Sequence, residues 1–143
     1  MTFIRDSQFA AMKQARLLRP RLEQLPAWID DSPWPLVRAV MTEHDDDALD
    51  GISSLYGRGP FVLVVDIRAL PEATLDQRHL AAACRAANEE RWPGHCLGTA
   101  LVVNAQQRAD LVAVDWLAPA QHRRRAFDDV ENATAWALAQ LPS

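Results

Sequence analysis

Three consecutive arginines, Arg123, Arg124 and Arg125, are the strongest local chemical feature of this 143-residue chain. His122 precedes them and Phe127 follows closely. Guanidinium groups recognise phosphate and carboxylate through paired hydrogen bonds. The run reads either as a solvated turn ahead of the last helix or as a contact for an anion, a lipid head group or an acidic protein surface. A second polar group follows the most apolar stretch of the chain: Asp66, Arg68, Glu72, Thr74, Gln77 and Arg78. Loops at the C-terminal edge of an open α/β sheet are the usual place for a ligand. These nine residues form the candidate set for binding a partner or ligand.

Catalytic chemistry has less to work with. The serines Ser7, Ser32, Ser53, Ser54 and Ser143 lack the G-x-S-x-G setting of a poised nucleophile. Cys84 falls on the apolar side of a helix, as a small core residue does. Cys96 follows His95 directly, and neighbours on a strand point apart, so the two make a poor nucleophile–base pair. His44, His79, His95 and His122 have no ligand spacing to one another or to the cysteines. The run Glu43, Asp45, Asp46, Asp47, Asp50 lacks the alternating oxygens and glycine turn of a hard-cation loop. It suits the first turn of a helix, where carboxylates meet free N–H groups. Gly57 and Gly59 precede a strand, whereas a dinucleotide loop follows one. No metal or cofactor is expected. An enzyme would need at least three of Asp66, His79, His95 and Cys96 to converge in one cleft.

The elements that position these groups follow from periodicity and punctuation. Phe61 to Ile67 is nearly continuous in β-branched and aromatic residues, which predicts a strand covered on both faces. Thr74 with Gln77 forms a capping box, opening a helix that runs to about Arg91 and buries Leu80, Ala81, Cys84 and Ala87. Leu97 to Val103 predicts the next strand. Asn104 with Gln107 repeats the capping pattern before a short helix through Leu111 and Val112. Ala113 to Leu117 fits either a helix end or a short strand. Asp128 as cap, with Glu131, opens the last helix, whose apolar stripe includes Val130, Ala133, Ala137 and Leu141. Trp136 lies beside that stripe, placed to seal the core or to meet a partner. Upstream, Trp28 to Asp30 and Pro35 to Thr42 read as a hairpin, with the proline favouring a sheet edge. A helix follows over Ala48 to Tyr56, stopped by Gly57 and Gly59. Residues 1–26 predict an appended basic helix, and 27–143 a single α/β domain. Short crossovers imply a mostly parallel or mixed sheet flanked by helices.

Composition narrows the class. Hydrophobic residues make up 49% and charged residues 24%, and the net charge is −4. That supports one packed domain and gives no general attraction to nucleic acid. No stretch reaches the ~20 apolar residues of a membrane span. The basic N-terminal segment lacks the apolar core of a secretory signal, so a cytoplasmic chain with free thiols at Cys84 and Cys96 is expected.

The strand ending in Asp66, the helix after it, the strand Leu97 to Val103 and the closing Phe127 with Glu131-Asn132-Ala133-Thr134-Ala135-Trp136 resemble STAS-like domains, the anti-sigma-factor antagonists and their SpoIIAA-like relatives. The resemblance covers roughly Pro35 to Leu141. It implies a four- to five-stranded mixed sheet flanked by helices, and a regulatory module that binds proteins, nucleotides or lipids. Antagonists of that family carry a phosphorylated serine in an Asp-Ser pair after the central strand. The corresponding loop here, Arg68 to Thr74, has no such pair, and its one hydroxyl, Thr74, is committed to the cap. The expected function is a non-enzymatic regulatory or scaffolding module that binds a protein partner, itself included. The alternative is binding of a small anionic ligand or lipid through Arg68 and Arg123 to Arg125.

Overall fold

Five strands carry the architecture because the chain's β-branched runs alternate with capped, alanine-rich helical segments. The computed structural model describes residues 25, 28–44, 46–114 and 123–142. In chain order these are β1 (Ile29–Asp30), β2 (Leu36–Val40), α1 (Asp46–Tyr56), β3 (Phe61–Asp66), α2 (Leu75–Arg91), β4 (Cys96–Val102), α3 (Ala105–Val114), β5 (Arg124–Phe127) and α4 (Val130–Ala139). The expected N-terminal helix lies outside the described residues, as does most of the ambiguous stretch after Ala113. Leu25 alone of that extension is described, packed on the core.

The sheet order is β1-β2-β3-β4-β5, with β1 antiparallel to β2 and every other pair parallel. This is the mixed, mostly parallel α/β sheet that the periodicity predicts. Right-handed crossovers between sequential neighbours put α1, α2 and α3 on one face, and α4 covers the other. β3 sits at the centre with Phe61 through Val65 all buried. Its side chains divide by the two-residue pleat. Phe61, Leu63 and Val65 join Val37, Leu55 and Tyr56 on the α1–α2 side. Val62 and Val64 join Ala100, Val102, Ala133 and Ala137 under α4.

Three expectations are corrected. β2 is not an edge: it is hydrogen-bonded to β1 and β3. Pro35 precedes it, and the Pro35 carbonyl still accepts from the Val62 N–H at 2.9 Å, so the missing donor disrupts nothing. Arg124 and Arg125 do not sit in a turn. They open β5, whose residues pair with Thr99 through Val102. Charged residues are what a sheet edge tolerates, and they hide its strand character. Finally, Asp129 rather than Asp128 caps α4, its carboxylate accepting from the Asn132 N–H at 2.8 Å. Asp128 instead receives the Arg108 guanidinium at 2.9 Å.

The two faces are closed differently. α4 presents Ala133 and Ala137, both fully buried, and lies close on β3 and β4. Trp136 meets Phe127 in a tilted pair at 5.8 Å and lies over Gly98, where an added Cβ would stand 3.2 Å from the indole. It seals the core on that side. On the opposite face the backbones of α1 and α2 approach each other more closely than they approach the sheet. The longer side chains of Leu55, Tyr56, Leu80 and Cys84 hold them off, and space remains beneath.

Candidate functional site

That space is a partly enclosed cavity of about 310 Å³ between α1, α2 and the sheet. The strand rungs fix its floor. Leu63 pairs with Thr99 and Thr99 with Arg124, while Val65 pairs with Leu101. Directly paired residues point to the same face, so Arg124 shares the cavity face with Thr99. Met41, Leu49, Ile52 and Leu80 add apolar wall from the connections and helices.

The polarity is uneven along the strand axis. Both helices run antiparallel to the strands they connect, so their C-terminal halves lie at the N-terminal half of the sheet. Ser53 and Tyr56 of α1, Arg85 and Asn88 of α2, Thr99 and Arg124 all line that half. The other half is lined mainly by Leu, Ile and Met, with His44 and Gln77 at its margin. Two arginines line the cavity, and among its described lining residues none is Asp or Glu.

Asn88 is buried to 6% exposure on the inner side of α2. Its amide donates to Ser53 Oγ at 3.1 Å, joining the two helices across the cavity. Below them Cys96 Sγ lies 3.4 Å from Thr99 Oγ1. Burial pushes the Cys96 thiol up from its ordinary range and does the same to the Tyr56 phenol. The Glu89 carboxyl is also raised by burial, a shift opposed by the hydrogen bond it receives from Tyr56. A thiol raised in this way stays protonated at neutral pH and is a poor nucleophile. Native Cys96 is therefore expected to react with a disulfide reagent at pH 7 at least tenfold more slowly than after unfolding. A stopped-flow thiol assay in buffer and in denaturant checks this.

The residues singled out from sequence are dispersed. Arg68 is bound to Asp66 by two side-chain bonds, 3.0 and 2.7 Å, and does not line the cavity. Glu72 and Arg78 face each other at 3.5 Å on the surface. Thr74 and Gln77 make the reciprocal capping box, and Gln77 also reaches the cavity. Strand alternation splits the arginines. Arg124 faces the cavity, Arg123 donates to Gln140 Oε1 at 2.8 Å, and Arg125 lies 5.6 Å over the Phe127 ring. Asp66 and Cys96 occupy opposite ends of the sheet, since Phe61 pairs with Cys96 and Asp66 with Val102. Five strand residues separate them, roughly 17 Å, so Asp66 does not share a cleft with Cys96 and its neighbour His95.

The loop after β3 is held from outside. Gln107 Nε2 donates to the Ile67 carbonyl at 2.6 Å, Asn104 Nδ2 to the Arg68 carbonyl at 3.1 Å, and His44 Nε2 to the Pro71 carbonyl at 2.6 Å. Ile67 and Leu70, on this loop, wall the apolar end of the cavity. The Asp66–Arg68 pair belongs to the same brace. Hydrogen bonding from Arg68 holds the Asp66 carboxyl below its ordinary value of 3.8. The folded state then binds fewer protons than the unfolded one, so the contribution is present above the ordinary value and lost as pH falls through the depressed one. Asp66→Asn is expected to lower the melting temperature slightly at pH 7, with the gap closing as the pH falls below the ordinary value of 3.8. Paired melts of the two proteins across that range check it.

No family model matches the chain, and neither a curated protein nor a solved structure does. The cavity and its lining therefore carry the functional reading. Ser53, Tyr56, Arg85, Asn88 and Thr99 were not singled out from sequence. One signal was available: Asn88 sits beside Ala87 on the buried stripe of α2, where a polar residue calls for a reason.

Proposed function

We propose that this chain is a non-enzymatic regulatory module whose input is a small, mostly apolar molecule held between α1, α2 and the sheet. The observation that carries the reading is the cavity of about 310 Å³, apolar for most of its wall with a few convergent polar groups at one end. Small-ligand sites have that construction, and ~300 Å³ is the lower end of their range. The separation of Asp66 from His95 and Cys96, and the burial that raises the Cys96 thiol, favour binding over catalysis. The closed α4 face supplies a rigid backing, so occupancy would be felt as movement of α1 and α2, the elements that stand off the sheet.

The test is a titration with 8-anilinonaphthalene-1-sulfonate, followed by dye fluorescence. Ala81 lines the cavity from α2. A folded Ala81→Trp variant is expected to fill the space and lose dye binding at least tenfold, while Arg78→Ala on the outer surface leaves it unchanged. Equal binding by the Ala81→Trp protein, with its circular dichroism intact, would overturn the reading.

A further inference from the structure

We propose that the cavity selects a neutral molecule with a hydroxyl head, a medium-chain alcohol in class, bound with its head between Asn88 and Ser53 and its chain along α2 toward Leu80. The assignment rests on the small-molecule reading above and names the ligand class that reading leaves open.

Three observations converge on it. First, the wall holds a buried amide with capacity to spare. Asn88 is more than nine-tenths buried and lines the cavity. It gives one amide hydrogen to Ser53 Oγ at 3.1 Å, and its Oδ1 accepts from no described residue. Buried carbonyl oxygens are normally paired, and one left without a donor in a dry site is costly. Second, Ser53 supplies the other half of the same contact. Its Oγ accepts from Asn88, so its own proton can be turned toward a ligand oxygen. Oδ1 belongs to the planar amide whose Nδ2 lies against Ser53 Oγ, so an acceptor and a donor stand side by side. One hydroxyl satisfies both: it donates to Asn88 Oδ1 and accepts from Ser53. Third, the charged groups nearby are already engaged. Tyr56 donates to Glu89, Glu89 also interacts electrostatically with Arg85, and Arg124 has a partner of its own. An ionic head would have to break into those contacts. A hydroxyl uses capacity that they leave untouched.

The chain has room to follow. From Asn88 the cavity runs along α2 past Cys84 and Ala81 to Leu80. Eight residues of helix span roughly 12 Å, the reach of an extended medium-length chain. The head therefore lies in the half of the cavity away from the C-terminal strand edge, where open α/β sheets commonly meet the polar part of a ligand. At that edge Arg68 is bound to Asp66, and Ile67 and Leu70 present apolar wall.

1-Octanol and its isomer 1-methoxyheptane, matched in size, differ in the hydroxyl proton. Amide chemical shifts of the full chain are followed during titration with each. The expected result is octanol binding with shifts at Ser53 and Asn88, and ether binding at least tenfold weaker, because the ether leaves Asn88 Oδ1 desolvated and without a donor. Asn88→Leu is expected to close that gap, the two compounds then binding about equally. Should the variant fold poorly, sodium octanoate at neutral pH gives a second comparison on the unaltered protein. Its carboxylate brings no proton to Oδ1, and it is expected to bind at least tenfold more weakly than octanol. If the ether or octanoate binds as tightly as octanol in the same cavity, the head-group assignment falls and the small-molecule reading stands. Shifts from none of the three compounds overturn both.

Discussion

Phe61→Ala is expected to cost about 3–5 kcal/mol of folding stability. The side chain is fully buried at the start of the central strand. It stacks on Trp34 at 5.6 Å and meets the edge of Tyr56 at 5.3 Å. The substitution removes both aromatic contacts and leaves a hole whose walls are held by other elements. Tyr56 is fixed through its carbonyl, which accepts from His95 Nδ1 at 2.6 Å, and Trp34 lies under the Arg58 guanidinium at 4.1 Å. Collapse is therefore incomplete, which places the cost in the upper part of the range for large-to-small changes. Domains of this kind have about 5–15 kcal/mol in total, so much of the stability goes. Urea denaturation of both proteins measures it. A loss under 1.5 kcal/mol would show that the Phe61 cluster is not the anchor of this face.

The second large effect is a contrast between faces. Ala137→Leu inserts three carbons where α4 lies on the sheet, at a position with no exposure. Forced side-chain shifts of this type cost about 1–3 kcal/mol, occasionally more. Ala81→Leu makes the same chemical change on α2, but the new atoms enter the cavity. Filling space of that kind commonly stabilises by about 0.5–2 kcal/mol. The two variants are thus expected to move the urea midpoint in opposite directions. If both lowered it equally, the space beneath α2 would not be open, and the ligand readings would lose their footing.

How much of this was legible in the residues depends on the range of the physics involved. Phe61 to Asp66 could be read because a run of β-branched residues has few uses other than a strand covered on both sides. The caps at Thr74–Gln77 and Asn104–Gln107 were legible because they are closed by neighbours three residues apart. The start of α4 was misplaced by one residue because two adjacent aspartates compete for the cap, and a side chain twenty residues away, Arg108, draws Asp128 off. The interior position of β2 and the strand character of Arg124 to Phe127 depend on which strands lie alongside, information no local pattern holds. The cavity was the least legible feature. It arises because bulky residues hold α1 and α2 away from the sheet while Ala133 and Ala137 let α4 down onto it, a difference in stand-off that only the packed molecule expresses. Consequently, the nine residues chosen from sequence contain only two that line it, Gln77 and Arg124.

The order in which the strands stand side by side carries a consequence for how the molecule is made. From β2 to β5 each strand lies against the one synthesised just before it. No strand has to wait for a distant partner or be inserted between two already paired. A nascent chain can therefore lay down its sheet by accretion, one βα unit at a time, with each addition closing a loop of a few tens of residues at modest entropic cost. Among the described elements the last helix alone reaches back across strands already in place, so the face under α4 is sealed only once α4 has been made.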